Sequence, residues 1–178
     1  MPKNLNSFIL PDNVIETMKK KLEKSGQVHR ELGFNLCQIE DSNELRDDTH
    51  CIGSACEIVL AGVCKTGKKV GIYHTHPENG KGTSDPSLSD LENGYYYGMN
   101  CVGGQTDKRV KCYVRKDKEI NRKDYNTIKY YRQMYKPLDK PHRVTSEKGR
   151  QIVLAKFRER DYTRDTLKKS YFNIIEIV

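Results

Sequence analysis

An α/β fold, with helices packed against a β-sheet, is predicted by two kinds of apolar pattern that alternate along the 178-residue chain. Val14, Met18 and Leu22 recur at a spacing of four, which is typical of the buried face of a helix. Residues 57–64 (EIVLAGVC) and 70–75 are apolar runs of strand length, separated by turn residues. We therefore expect these two runs to pair as a hairpin.

The other elements are placed by the same patterns and by helix-capping and turn residues. Residues 87–97 are expected to form a helix with Ser87 as its N-cap. The first helix is expected over residues 11–24, ending at Ser25-Gly26. The remaining expectations are a strand over 28–40, a loop over 41–55, a flexible loop over 77–86, strands at 101–102 and 110–115, helices over 122–135 and 146–160, and a strand over 171–178. Within 146–160, a strand over 151–157 is the alternative.

The net positive charge of the chain comes entirely from its last third. The formal net charge is +8. Residues 1–117 contain 16 Lys+Arg and 16 Asp+Glu, whereas residues 118–178 contain 16 and 8. We therefore divide the chain into a first domain, 1–117, and a basic helical extension, 118–178, which ends in a strand and packs on the same domain. Such an extension suits an acidic protein, nucleic acid or an anionic membrane, or is a solvated helical face.

Neither a membrane span nor a signal peptide is expected. No apolar run approaches 18 residues, and residues 1–10 lack the apolar core of a signal peptide, which favours a cytoplasmic location without a membrane partner. In that location the cysteines are expected to stay reduced, as small buried side chains. They are Cys37, Cys51, Cys56, Cys64, Cys101 and Cys112. A second metal site at His50, Cys51 and Cys56 would need a fourth ligand that the sequence does not offer.

Residues 71–77 (GIYHTHP) contain the most informative motif. His74 and His76 are separated by one residue on an expected strand, so their side chains point to the same face. Two imidazoles placed in this way can bind one metal ion at about 2 Å each. Pro77 has no N–H to donate and is expected to end the strand.

The third metal ligand is expected from the helix that follows. Asp90 lies in the first turn of that helix, after a loop long enough to return to the strand end. Two histidines and one carboxylate leave a coordination position for water, as in catalytic zinc sites, although non-haem iron uses the same three ligands. Glu31 is the candidate general base, and Ser87 is a candidate donor to the developing oxyanion.

Together these motifs resemble those of the JAMM family of zinc metalloproteases, also called JAB or MPN. The resemblance covers about residues 12–117 and rests on Glu31 before Gly33-Phe34, on His74-x-His76-Pro77, and on Pro86-Ser87-x-x-Asp90, in that order. It implies a cytidine-deaminase-like fold, in which helices flank a curved mixed β-sheet. It also implies one zinc ion on His74, His76 and Asp90. Glu31 would then deprotonate the water, and Ser87 would stabilise the tetrahedral intermediate.

The resemblance further implies cleavage of a peptide or isopeptide bond at the C-terminus of a ubiquitin-like or sulfur-carrier protein. The tail of that protein is expected to add as a strand beside residues 56–75. The 13 residues between His76 and Asp90 form a longer loop than is usual in the family, and residues 98–117 are too short for the insertion of linkage-specific enzymes. The alternatives are a RadC-like DNA-associated member, whose basic third would contact phosphate, and a non-catalytic protein-binding member.

Overall fold

A computed structural model describes residues 1–78, 82–140 and 143–178 of the chain. The strands are β1 (Lys3–Leu5), β2 (Phe8–Leu10), β3 (Leu32–Gln38), β4 (Leu45–Ile52), β5 (Lys68–His76), β6 (Met99–Gly104), β7 (Val110–Arg115) and β8 (Phe172–Glu176). The helices are α1 (Asp12–Val28), α2 (Ala55–Ala61), α3 (Leu88–Tyr97), α4 (Arg122–Tyr135) and α5 (Glu147–Tyr171), with a 3-10 helix over Lys136–Asp139. Among these residues, no helix is long and apolar enough to cross a membrane.

Six strands form one mixed sheet in the order β4-β3-β5-β6-β7-β8, while β1 and β2 pair separately. β5 and β6 run parallel, and every other neighbouring pair in the sheet is antiparallel. α3 connects β5 to β6, as a parallel pair requires a crossover. The predicted α/β class, a mixed sheet flanked by helices, is thereby confirmed.

Helices cover both faces of the sheet. On one face α1 packs through Met18 and Leu22 onto Phe34 and Tyr73, all of them buried. On the other face α3, α4 and α5 share a second core, formed by Leu88, Leu91, Tyr95, Val102, Tyr113, Ile128, Tyr135, Leu167 and Phe172. Since strand side chains alternate, Tyr73 faces α1 while its neighbours on β5 face the other layer.

The basic extension, residues 118–178, is part of the same sheet. Its last strand, β8, pairs antiparallel with β7 from Lys111↔Glu176 to Arg115↔Phe172. Its two helices contribute Ile128 and Leu167 to the second core. The extension therefore forms one wall of the molecule.

The prediction of a strand over residues 57–64 is wrong, because residues 55–61 form helix α2. Its buried side chains are Cys56 and Leu60, four residues apart, whereas Ile58 is 80% exposed. A short apolar run does not distinguish a buried strand from a short helix by its periodicity. The predicted hairpin with 70–75 is wrong for the same reason, since β5 instead pairs with β3 and β6.

The expected loop over residues 41–55 contains strand β4, Leu45–Ile52. This strand lies at the sheet edge and buries little besides Leu45 and Cys51, so its sequence is polar. Thr49, with φ 53°, forms a bulge where Phe34↔His50 shifts to the next register. An edge strand of this composition has no apolar alternation to reveal it.

The remaining elements lie close to their predicted positions. β7 and α4 match their predicted ranges, α3 begins one residue after its N-cap, and β6 is longer than predicted. α1 continues past Gly26 to Val28, because the Ser25 hydroxyl donates to the Arg30 carbonyl and holds the last turn. α5 extends beyond residue 160 to Tyr171. The predicted loop over 77–86 falls partly outside the described residues.

The sequence led us to expect reduced cysteines, but in the structure all six are joined in pairs. The three disulfides are Cys37–Cys64, Cys51–Cys56 and Cys101–Cys112. The strand register accounts for one of them, since Cys101 lies opposite Cys112 across β6 and β7. Sequence spacing does not define such cross-strand partners, which explains why the pairing was missed.

We expect the chain, unfolded in denaturant without reductant, to contain no free thiol and to release six after reduction. The measurement is a colorimetric thiol titration in denaturant, before and after reduction, of protein purified without reductant or thiol-blocking reagent. Titration of all six thiols before reduction would contradict the pairing and restore the expectation of reduced cysteines.

Candidate metal centre

The two histidines of the motif lie at the end of the central strand β5. Their side chains leave the same face of the strand, and the two Nε2 atoms are 3.1 Å apart. The His74 side chain is 5% exposed and that of His76 is 25% exposed. β5 has β3 and β6 on either side, so the backbone that carries both imidazoles is fixed within the sheet.

Asp90 reaches the histidines from the first turn of α3. Its backbone N–H donates to the Ser87 hydroxyl oxygen at 3.0 Å, and its Oδ2 accepts from the Ser87 N–H at 2.9 Å, which completes a capping box. Asp90 Oδ1 lies 3.2 Å from His74 Nε2, and Oδ2 lies 3.5 Å from His76 Nε2. The helix cap therefore holds this carboxylate against both imidazoles.

These three side chains form a group that could hold a metal ion. The nitrogen and oxygen atoms facing one another are 3.1 to 3.5 Å apart. A tetrahedral zinc ion with bonds of 2.0–2.1 Å has neighbouring ligand atoms about 3.3–3.4 Å apart. The two histidines meet different oxygens of Asp90, and one ligand atom from each residue lies within 4.8 Å of the others, close enough to share one ion.

A hydrogen bond at the far ring nitrogen orients the His76 imidazole. His76 Nδ1 lies 2.8 Å from the Thr83 carbonyl oxygen, which can only accept, so Nδ1 carries a proton and Nε2 is the atom left to bind a metal ion. His74 Nδ1 and Asn100 Oδ1 are both buried and make no hydrogen bond of standard geometry among the described residues, although the Asn100 amide is close enough to raise the pKa of His74. Asn100 also donates to the Asp90 carbonyl at 3.1 Å, so it supports two ligands.

The electrostatics of the group favour a charged carboxylate. Burial would raise the pKa of Asp90, but His74 and His76 hold it well below its ordinary value. Burial would lower the pKa of His74, but Asp90, Glu31 and the Asn100 hydrogen bond raise it. The two histidines thus compensate the negative charge of the Asp90 carboxylate, as a bound cation would.

Glu31 lies beside the three candidate ligands and is not one of them. It immediately precedes β3, whose register places Gly33 opposite His74, and its carboxyl group is close enough to the candidate ligands to interact with their charges. Burial raises the pKa of the Glu31 carboxyl, while the nearby charges of His74 and His76 oppose the rise. Its backbone carbonyl accepts from the Gly53 N–H at 2.7 Å, which fixes its position.

Gly33 permits the close approach of β3 to β5 that the sequence predicts. A Cβ atom at this position would lie 2.5 Å from the Tyr73 carbonyl oxygen, a distance that side chains do not tolerate. The glycine thereby keeps Glu31 near the histidines.

The hydroxyl of Ser87 is available for the role that the motif suggests. Its oxygen accepts from the Asp90 N–H, so its own hydrogen is free to donate elsewhere. Ser87 is exposed and lines a cavity next to His76. Helix capping and oxyanion binding are therefore compatible roles of one side chain.

Sequence reasoning missed the residues that orient the ligands. Asn100 lies on β6, a neighbour of β5 only through the parallel pairing, and Thr83 contributes a backbone atom. Neither has a motif of its own. A polar residue directly before an expected buried strand, as Asn100 is, is the one signal that could have indicated a role.

The fold and the site define a mixed α/β protein with a candidate metal centre at the end of its central strand. Comparison with protein-family models, curated proteins and solved structures finds no match to this chain.

Proposed function

We propose that this protein is a zinc-dependent hydrolase that cleaves peptide or isopeptide bonds. The observation that carries the proposal is the convergence of His74, His76 and Asp90 at 3.1 to 3.5 Å, with the carboxyl group of Glu31 beside them. Three protein ligands leave one position for water, as in catalytic rather than structural zinc sites.

The residues around the site have the roles that hydrolysis requires. When bound, zinc lowers the pKa of a coordinated water to about 7. Glu31 would accept the proton of this water and pass it to the leaving amine. The free hydrogen of the Ser87 hydroxyl would bind the carbonyl oxygen as negative charge develops there.

The substrate class follows from the resemblance to the JAMM family and its cytidine-deaminase-like fold. We propose the C-terminus of a ubiquitin-like or sulfur-carrier protein as the substrate. The expectation that a substrate tail adds as a strand beside residues 56–75 is wrong. β5 has neighbours on both edges, and residues 55–61 are helical. The free edges of the sheet are β4 and β8.

A cytoplasmic location is proposed on the sequence alone. The three disulfides bear against it, because such bonds persist mainly in oxidising compartments.

The decisive experiment is elemental analysis of the purified protein before and after incubation with zinc and removal of the excess. We expect about one zinc per chain in the wild type and none in His76→Ala. His50→Ala is the matched control, since His50 pairs with Asp47 on edge strand β4. Absence of stoichiometric zinc in the wild type would sink the proposal.

The substrate is then sought with a panel of ubiquitin-like and sulfur-carrier proteins that bear a peptide fused after their C-terminus. We expect the zinc-loaded wild type to release the peptide from one of them and His76→Ala to release none. Zinc binding without cleavage of any fusion would instead support the alternative of a non-catalytic, protein-binding role.

A further inference from the structure

A cavity of about 450 Å³ opens beside the candidate metal centre. Its near end is formed by His76 and Ser87, and its far wall by α4, α5 and the 3-10 helix between them. Pro86 and Tyr135 give it an apolar floor, both being buried. The basic extension therefore faces the metal centre across a groove.

The groove wall carries more cations than carboxylates. Four of its residues are basic, with two on α4 or directly after it and two on α5, whereas two are acidic. The basic residues are Arg132, Lys136, Arg160 and Arg164. Asp85 and Asp139 are the carboxylates, and Asp85 is already 3.6 Å from Lys168.

Arg160 and Arg164 are largely buried, but their contacts with carboxylates are longer than strong charge-assisted hydrogen bonds. Their side chains are only 18% and 15% exposed. Arg160 lies 3.5 Å from a carboxylate oxygen of Asp161 and 4.0 Å from one of Asp139. Arg164 lies 3.4 Å from Asp165 and 3.6 Å from Asp161. Charge-assisted hydrogen bonds of arginine are usually about 2.7–2.9 Å, as the Arg132–Glu92 pair at 2.7 Å is.

Among the groove arginines, one buried guanidinium nitrogen has no hydrogen-bond partner within the described residues. The Nε of Arg164 is buried and makes no hydrogen bond there. A guanidinium has five N–H donors, and a buried donor without a partner costs free energy. Arg164 therefore has hydrogen-bonding capacity that none of the described residues uses, on a side chain that lines the groove.

We propose that this groove binds an acidic peptide segment of the substrate, with Arg160 and Arg164 as the carboxylate-binding pair. Its position next to the scissile bond rests on the proposed function, because His76 and Ser87 line the same cavity. The forked guanidinium matches a carboxylate in geometry. A nucleic-acid strand would present phosphate instead of carboxylate to the same arginines, so it is tested as the alternative occupant.

The test is fluorescence anisotropy with a fluorescein-labelled octapeptide rich in Glu. The same peptide with Gln in place of Glu and an eight-residue oligothymidylate are the comparison probes. We expect Arg160→Gln/Arg164→Gln to weaken binding of the Glu peptide by about tenfold or more. The control is Arg150→Gln/Arg158→Gln, which also removes two arginines of α5, from exposed positions that do not line the groove.

A second variant guards against loss of folding, because Arg160 and Arg164 are largely buried. Lys136→Glu changes an exposed groove residue and is expected to weaken Glu-peptide binding, whereas Lys129→Glu, exposed on α4 outside the groove, is not. Equal binding of the Glu and Gln peptides, equal binding by groove and control variants, or tighter binding of the oligonucleotide would each overturn the proposal.

Peptide binding and zinc content are measured on the same preparations, including His76→Ala. Zinc without Glu-peptide binding overturns the groove proposal and leaves the metal centre intact. Glu-peptide binding by a wild type that holds no zinc supports the groove and overturns the hydrolase.

Discussion

Replacing Glu31 with Gln is expected to slow hydrolysis by about 100- to 10,000-fold while zinc content stays at the wild-type value. The amide has nearly the volume of the carboxyl group, so it should keep the packing beside His74 and His76. It cannot accept the proton of the attacking water. The measurement is the initial rate on a cleaved fusion substrate, with zinc quantified in the same samples.

Glu57→Gln is the matched control for Glu31→Gln, because Glu57 is an exposed carboxylate on the neighbouring helix α2. Its rate is expected to equal that of the wild type. A Glu31→Gln variant with an unchanged rate would exclude Glu31 as the base. Loss of zinc together with activity would instead assign Glu31 a role in holding the metal.

The candidate ligands could be predicted because their arrangement depends on local geometry. The two-residue period of a strand places His74 and His76 on one face, and a helix cap places Asp90 in the first turn of α3. Both rules involve residues close in sequence. The loop between them had only to close, and loop closure costs little additional free energy as a loop lengthens.

The groove could not be predicted in the same way. Arg132 and Arg164 meet it from helices that are separated in sequence and packed through the second core. In the sequence, they belong to a long basic segment in which exposed and half-buried arginines look alike. Only the packing of Leu167 and Tyr135 decides which arginines face the metal centre.

The errors in the fold have a related cause. α2 and β4 are elements whose identity depends on what they pack against, since an apolar run suits either a strand or a helix, and a polar segment can still extend a sheet edge. The Cys51–Cys56 disulfide was missed for the same reason, because the two cysteines meet only through the turn between β4 and α2. Local sequence patterns do not predict elements whose structure depends on tertiary contacts.

Asp90→Asn is expected to weaken zinc binding by more than about 100-fold, since loss even of a group that supports a ligand costs about 10- to 100-fold. The amide oxygen can still accept from the Ser87 N–H, so the helix cap should persist. What is lost is the negative charge facing His74 and His76. Competition with a chelating dye would measure the zinc affinity of each protein.

The same substitution predicts a change in zinc-linked stability. At a free zinc concentration of 100 times the wild-type Kd, the metal should stabilise the wild type by about 2.7 kcal/mol. A variant with 100-fold weaker affinity gains only about 0.4 kcal/mol under those conditions. Denaturant unfolding with and without zinc would measure the difference.

Ser87→Ala distinguishes the contribution of the helix cap to zinc binding from that of the Asp90 carboxylate. It removes the acceptor for the Asp90 N–H and should cost about 1 kcal/mol of stability, but it leaves all three candidate ligands in place. Zinc affinity close to that of the wild type in Ser87→Ala, together with its loss in Asp90→Asn, would identify the carboxylate as a ligand. Equal losses in the two variants would mean that zinc depends on the helix cap, and unchanged affinity in Asp90→Asn would remove Asp90 from the site.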